Sequence, residues 1–357
     1  MEAEPEEMQD IGRLTWNPQD MELPYKDIFL PFLYATVFLV GIAGNGLLIG
    51  ALIIKRRIQR VIDIFIVNLA ASDFIFLITL PFWVDKEISS GHWRSGSFLC
   101  KGSSYVIALN MYCSIFLLTC MSCDRYVAIM YPTTARRIRT KRYSIAVCIC
   151  VWALSSLLGL HTLQFRELRT YDGNSYCLDK EIPFAHRIGS LLMMILAFFV
   201  PLVSILIFYF SITKKLCVQY KKSGKHDKKL RKSIKIIFTV VLIFVFSWTP
   251  FNVFKLIAVL SGIQELKPPF CLPYKIAHLG MEVGSPFAFA NSCVNPFIYY
   301  FFDDYIRRAM VRCMFPCITA NSPGTSLDSS NTRLSYSLTA RIRSEALSRK
   351  RRRSESL

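Results

Sequence analysis

Seven long apolar runs divide the chain, and short polar or charged stretches separate them. The runs are Ile28–Ile54, Ile64–Val84, Phe98–Met130, Tyr143–Leu163, Ile188–Thr213, Ile234–Leu260 and Leu272–Phe302. A helix needs roughly 20 residues to cross about 30 Å of hydrocarbon, and each run is long enough. After the seventh, Asp303–Met310 mixes charged and apolar positions in the manner of an amphipathic helix. The pattern predicts an all-α integral membrane protein: a seven-transmembrane helix bundle with a short amphipathic helix 8.

The predicted organisation has four parts. Residues 1–27 form an acidic extracellular segment, 28–302 the bundle, 303–317 the amphipathic helix with its cysteines, and 318–357 a disordered tail rich in Ser and Thr. The start lacks a basic stretch ahead of an apolar core, so no secretory signal peptide is expected and the first span is predicted to act as signal anchor.

Charge fixes the direction of the spans. Lys55, Arg56, Arg57 and Arg60 follow the first, and Arg136, Arg137, Arg139, Lys141 and Arg142 follow the third. Ten Lys or Arg lie between Lys214 and Lys235, with Asp227 the only acid, and the tail from Asp303 carries eleven basic residues against five acids. The alternate loops are nearly balanced. The positive-inside rule then places the amino terminus outside and the carboxyl terminus inside. A net charge of +18 ordinarily suggests nucleic acid, but a distribution confined to alternate loops argues against that partner. The basic loops read equally as topological signals or as a surface for an acidic cytoplasmic partner or anionic membrane lipid.

Composition fits: 53% of residues are hydrophobic and 19% charged, more apolar surface than a soluble fold of this size readily hides. The polar residues inside spans therefore stand out. A carboxylate at mid-span costs about 2.5–3.5 kcal/mol on insertion scales, so Asp73 needs partners. Asn45, Asn110, Ser114, Asn291, Ser292 and Asn295 on other spans are candidates, with Asn110/Ser114 and Asn291/Asn295 each sharing a helix face. One carboxylate among neutral oxygens suits a small hard cation; an interhelical hydrogen-bond network serves as well. Pro81, Pro201, Pro250 and Pro296 each remove a helical hydrogen bond and predict kinks. Asp124-Arg125-Tyr126 closes the third span, where Arg125 can pair with its neighbour Asp124.

In this order the residues resemble class A (rhodopsin-like) G-protein-coupled receptors. The resemblance rests on Gly44-Asn45, Leu69-Ala-Ala-Ser-Asp73, Asp124-Arg125-Tyr126, Trp152, Pro201 with Tyr209, Phe244 with Ser247-Trp248-Thr249-Pro250, and Asn295-Pro296-Phe297-Ile298-Tyr299. Thr79-Leu80-Pro81 and Trp93 are similar to the chemokine-receptor-like group. The resemblance implies an allosteric sodium ion in the pocket of Asp73, Asn110, Ser114, Asn291, Ser292 and Asn295, with no other cofactor. It implies an activation switch in Asp124, Arg125, Tyr126, Tyr209, Phe244, Trp248, Pro250, Pro296 and Tyr299. It also implies a disulfide between Cys100 and Cys177, which leaves Cys271 without an assigned partner. Ile107 stands where amine receptors carry a counter-ion aspartate, and Phe289 where opsins carry the retinal lysine. The residues expected to face a ligand are Trp83, Tyr105, Arg187, Lys255 and Glu282.

The implied partners are a secreted peptide or small basic protein outside, and a heterotrimeric G protein and arrestin inside. The expected output is directed leukocyte migration through an inhibitory-class G protein; the alternative is a scavenging receptor that internalises ligand without signalling. A transporter or enzyme is not expected, since neither broken-helix repeats nor a catalytic group inside the spans is present in the sequence. Eight acids against Arg13 and Lys26 give residues 1–27 a charge of −6, which steers a basic ligand. Tyr25, between Glu22 and Asp27, is a sulfation candidate, and Cys313 and Cys317 are palmitoylation candidates. Arg353 three residues before Ser356 resembles a carboxyl-terminal 14-3-3 motif, switched by phosphorylation of Ser356.

Overall fold

The computed structural model describes residues 26–54, 58, 60–180, 184–223, 228–263 and 272–314. Tyr25, Cys271, Cys317 and Ser356 lie outside the described residues. In chain order the helices are α1 (Lys26–Ile49), α2 (Val61–Leu77), α3 (Leu80–Ile88), α4 (Gly96–Met130), α5 (Pro132–Ile138), α6 (Lys141–Phe165), α7 (Phe184–Met194), α8 (Val200–Ser223), α9 (Lys228–Ile263), α10 (Leu272–Phe302) and α11 (Asp304–Met314). Strands β1 (Arg166–Tyr171) and β2 (Asn174–Asp179) stand between α6 and α7.

Among the described residues, six spans are long and apolar enough to cross a membrane: α1, α2 with α3, α4, α6, α7 with α8, and α9. The seventh long helix, α10, packs along α9 and α1. It carries Glu282, Ser285, Asn291, Ser292 and Asn295, and its three buried polar residues Asn291, Ser292 and Asn295 face the interior. The same residues lower its apolar character. The all-α membrane bundle expected from the sequence is what the chain forms.

Burial follows the logic of lipid as solvent. Leu69, Ile115, Leu117, Phe244 and Trp248 are inside, while Phe32, Phe98, Leu157, Phe210, Phe246 and Phe301 are exposed. Such an apolar exterior has no place in water and is natural in a bilayer. The helices run past the apolar runs at several ends. In α9, for example, Lys228–Ser233 continue the helix into a polar stretch.

The prolines act differently from one another. Pro81 enters at the first turn of α3, and the second span breaks before it, with Thr79 donating its hydroxyl to the Phe76 carbonyl at 2.7 Å. Ahead of Pro201 the chain widens into a π segment, Ile195–Phe199, where the Val200 N–H reaches back to the Ile195 carbonyl. Pro250 and Pro296 sit inside continuous helices. Pro296 cannot donate to the Ser292 carbonyl, and Asn45 Nδ2 takes that carbonyl at 2.8 Å. Gly44 permits the approach, because a Cβ there would lie 3.2 Å from Pro296.

The all-α expectation has one departure among the described residues. β1 and β2 pair antiparallel, Leu168 opposite Cys177, and turn at Asp172-Gly173 with both residues at positive φ. An Asp-Gly pair between two extended runs is a strong hairpin signal, and the sequence reading overlooked it.

α9 and α10 meet closely. A Cβ on Gly280 would fall inside the ring of Phe254, and one on Gly284 would lie 3.2 Å from the Phe251 backbone. Gly280→Ala is expected to cost about 1–3 kcal/mol through overpacking. The purified receptor should melt at a lower temperature, and an unchanged melting point would show that Phe254 swings aside freely.

Candidate functional site

Three clusters bring the sequence-predicted residues together, one at each end of the bundle and one midway. At the hairpin end, Cys100 near the start of α4 is bonded to Cys177 in β2, as the resemblance implied. The Trp93 N–H donates to the Ser175 carbonyl at 2.7 Å, which docks the hairpin on the α3–α4 loop. Arg166 then links three elements: it donates to Asp179 at 2.7 Å and to Ser104 at 3.1 Å, and lies 6.0 Å from the centre of the Trp83 ring.

Lys255 of α9 has Asp179 and Arg166 as its charged neighbours. Protein packed around the Asp179 carboxyl would raise its pKa. The Arg166 charge and hydrogen bond outweigh that, with help from Lys255 and His278, and hold it below the usual carboxylate range. Lys255, Arg166 and Asp179 thus form a charged group at the hairpin end of the bundle.

Trp83 is buried against Trp93 and Phe289, edge to face, at 5.5 and 6.2 Å. Glu282 and Arg187 are half-buried at the same end. Tyr105 differs: its ring lies against Gly159 and its hydroxyl reaches the Ser156 carbonyl at 3.5 Å, a packing contact with α6. Arg166 and Asp179 were missed in the sequence. Their only signal was charge in the outer loop beside Cys177. A separate cleft of about 720 Å³ opens between the α3–α4 loop and the hairpin turn, lined by His92, Arg94 and Asn174 among others, and none of the predicted ligand residues lines it.

Midway, Asp73 is fully buried. Asn110 Nδ2 donates to its Oδ1 at 2.9 Å and Asn295 Nδ2 to its Oδ2 at 2.8 Å. Asn110 also donates to Ser72 Oγ at 3.1 Å and accepts from Ser292 Oγ at 3.4 Å. The hydrogen-bond network read from the sequence is therefore present. A sodium ion fits the same residues. The carboxylate has amide partners and no cationic one in this network, and the buried oxygens Ser114 Oγ, Asn295 Oδ1 and Asn45 Oδ1 have no hydrogen-bond partner. Asp73 and Ser114 would hold the ion, which would supply the missing positive charge.

Above this network, Trp248 is buried with Phe244 at 6.3 Å, and its carbonyl accepts from Asn252 Nδ2 at 2.9 Å. Asn252 in turn reaches Met111 Sδ at 3.6 Å, joining α9 to α4.

At the far end, Arg125 and Asp124 form an ion pair, Nε standing 3.9 Å from Oδ2. Arg139 holds Asp124 more closely, taking both its oxygens at 2.6 and 2.9 Å. Neighbours along a helix point about 100° apart, so Asp124 and Arg125 cannot face each other squarely. Arg139 reaches across instead. Tyr126 packs on Phe208 at 5.1 Å, and the buried hydroxyls of Tyr209 and Tyr299 have no hydrogen-bond partner. Tyr209 is a near electrostatic neighbour of Arg125. On the same side Arg60 donates to Asp63 and Asp303 at 2.8 Å each and lies 4.6 Å over Tyr305. Asp303 caps α11 by accepting the Tyr305 N–H at 2.9 Å. Along α11, Ile306, Ala309 and Met310 are buried, Arg307 and Arg308 are exposed, and Cys313 sits in the last turn.

Residues 44–299 match the family described as 7 transmembrane receptor (rhodopsin family). The chain belongs to that family. It is similar to the G-protein coupled receptor 15 of Mus musculus, 52% identical over 335 residues that cover 94% of this chain and 92% of the relative. It is also similar to apelin receptor A of Danio rerio, at 36% over 285 residues (77% and 78%), and to type-1 angiotensin II receptor A of Xenopus laevis, at 34% over 308 residues (85% and 84%). Membership of the rhodopsin family makes the chain a multi-pass receptor of the plasma membrane and not an enzyme. It also bears out the class A resemblance.

Proposed function

We propose that this rhodopsin-family member is a receptor for a secreted peptide or small chemokine-like protein, and that it activates an inhibitory-class heterotrimeric G protein to direct leukocyte migration. The observation that carries this reading is the charged group of Lys255, Arg166 and Asp179 beside a disulfide-bound hairpin. Fixed charges there suit a polar, multiply charged ligand such as a peptide better than a small lipid or retinal. Two of the similar proteins are named for peptides, angiotensin II and apelin.

In this reading the amino terminus is extracellular and the hairpin end receives ligand. Trp83, Arg187, Lys255 and Glu282 serve the ligand site, Tyr25 carries sulfate, and sodium at Asp73 favours the silent state. Ligand binds the open state more tightly and shifts the population. Arg125, Tyr209 and Tyr299 then rearrange to admit the G protein. Arrestin reads the phosphorylated tail, 14-3-3 reads Ser356, and Cys313 and Cys317 hold palmitate.

Inhibition of cyclic-AMP formation, with and without pertussis toxin, tests the reading in cells exposed to secreted basic chemokine-like proteins. The expected result is a toxin-sensitive response that Arg125→Ala abolishes while surface abundance and ligand binding persist. Ligand uptake without any G-protein response at wild-type Arg125 would replace signalling with scavenging.

A further inference from the structure

Two of the chain's five histidines meet across one phenyl ring at the hairpin end. His161, near the end of α6, lies 4.6 Å from Phe165 between ring centres, and His186, near the start of α7, lies 5.4 Å from the same ring. The planes are inclined by 45° and 64°, so neither imidazole is stacked flat on the phenyl. A short relay closes the seam. Ser190 Oγ stands 3.0 Å from His161 Nε2 and donates to the His186 carbonyl at 2.9 Å. A hydroxyl has one proton, so with it given to the carbonyl, His161 is assigned its own proton on Nε2 and donates to Ser190.

Phe165 is also the residue on which the hairpin closes. Its carbonyl accepts the Lys180 N–H at 2.7 Å. β1 begins at the next residue, Arg166, whose guanidinium holds Asp179 across the strands at 2.7 Å. A shift of Phe165 therefore carries to the base of both strands.

Charge around the seam is unevenly placed. His161 has Lys255 of α9 and His186 of α7 as its basic neighbours and Asp179 of β2 as its acidic one. That carboxylate already serves Arg166, with Lys255 and His278 beside it. His278 of α10 differs, because Glu282 on its own helix lies near it as well as Asp179. Protonating the seam thus sets two imidazolium charges against each other and against Lys255, and the nearby carboxylate is already engaged.

We propose that the His161–Phe165–His186 seam is a proton-operated latch on the hairpin: neutral imidazoles keep the hairpin seated, and protonating both loosens it. Histidine is the side chain that ordinarily titrates between about pH 5 and 8. The hold is therefore complete above about pH 7 and is lost as pH falls towards about 5. The latch acts on the hairpin itself and stands whatever ligand or G protein the receptor takes.

The full-length receptor in lipid nanodiscs, without ligand, is followed by amide hydrogen exchange at about pH 7.4 and about pH 5.5, either side of the ordinary histidine titration. Rates are expressed as protection factors, which removes the pH dependence of the exchange chemistry. Protection of β1 and β2 is expected to fall roughly tenfold at the lower pH, about threefold for each imidazole charged, while α2 stays as it was. The double variant His161→Gln/His186→Gln keeps an amide donor for Ser190 and gains no charge, so its fall should be under about twofold. His186 is exposed, and His186→Gln alone should leave a fall of about threefold. His92, which bonds Tyr176 of β2 at 2.9 Å, and His278 are the competing imidazoles. His92→Gln and His278→Gln should each retain the full response. Equal protection at both pH values overturns the proposal, as does a loss shared by α2. A response abolished in His92→Gln or His278→Gln, or undiminished in the double variant, overturns it too. Should the double variant lose protection already at the higher pH, His186→Gln decides, and an undiminished fall there sinks the latch.

Discussion

Replacing Cys100 and Cys177 together with serine is expected to cost ligand binding at least a hundredfold while leaving the helical bundle inserted. The bridge closes a sequence separation of 77 residues, and loop-closure entropy for such a separation is worth about 4 kcal/mol. That energy holds the hairpin, and the hairpin holds Arg166 and Asp179 beside Lys255. The surviving tethers include the backbone bond from Trp93 to Ser175, the His92–Tyr176 side-chain bond and the Arg166 contacts with Ser104 and Trp83, each worth about 1–2 kcal/mol. None of them fixes Cys177 itself, so the middle of β2 gains freedom when the bridge is lost. The spans do not depend on the bridge, so helical circular dichroism should stay near wild type. Changing both cysteines avoids a stray thiol that could pair elsewhere. Wild-type binding by the double variant would mean that the hairpin is held by its other contacts.

Asp73 should make thermal stability depend on sodium. A receptor that binds an ion only when folded gains RT ln(1 + [ion]/Kd), about 1.4 kcal/mol at ten times Kd. Melting in sodium chloride should therefore exceed melting in potassium chloride at equal ionic strength. Asp73→Asn removes the only carboxylate of the cluster, and the difference between the two salts should vanish. Ser114→Ala should shrink the difference without touching the direct bonds from Asn110 and Asn295 to Asp73. An equal sodium gain in Asp73→Asn would place the ion elsewhere or remove it from the account, leaving the amide network as a purely structural joint.

Much of this was legible in the chain. The apolar runs located the spans, in the case of Leu272–Phe302 to the residue, because the length of hydrocarbon to be crossed is fixed. Asp73 and its amides were legible because a polar group in a span must find a partner, and few others were available. The hairpin was legible too, at Asp172-Gly173, but was passed over among stronger helical signals. Arg139 was seen only as one charge in a basic loop. Its hold on Asp124 spans fifteen positions and depends on where Pro132 turns the chain after Met130. Tyr105 was expected to face ligand, yet the space beside Gly159 draws its ring into the contact between α4 and α6.

The sequence by itself determined the membrane setting, the seven spans, the family and the residues obliged to leave lipid. Those follow from transfer energies and helical periodicity, which act residue by residue. Only the tertiary structure decided which partner each polar group takes: Arg139 over Arg125 for Asp124, Asn45 for the Ser292 carbonyl freed by Pro296, Arg166 as the link from hairpin to Trp83. Periodicity tells which face a side chain occupies, whereas a hydrogen bond is won or lost over about 1 Å. That last distance is set by how the helices pack.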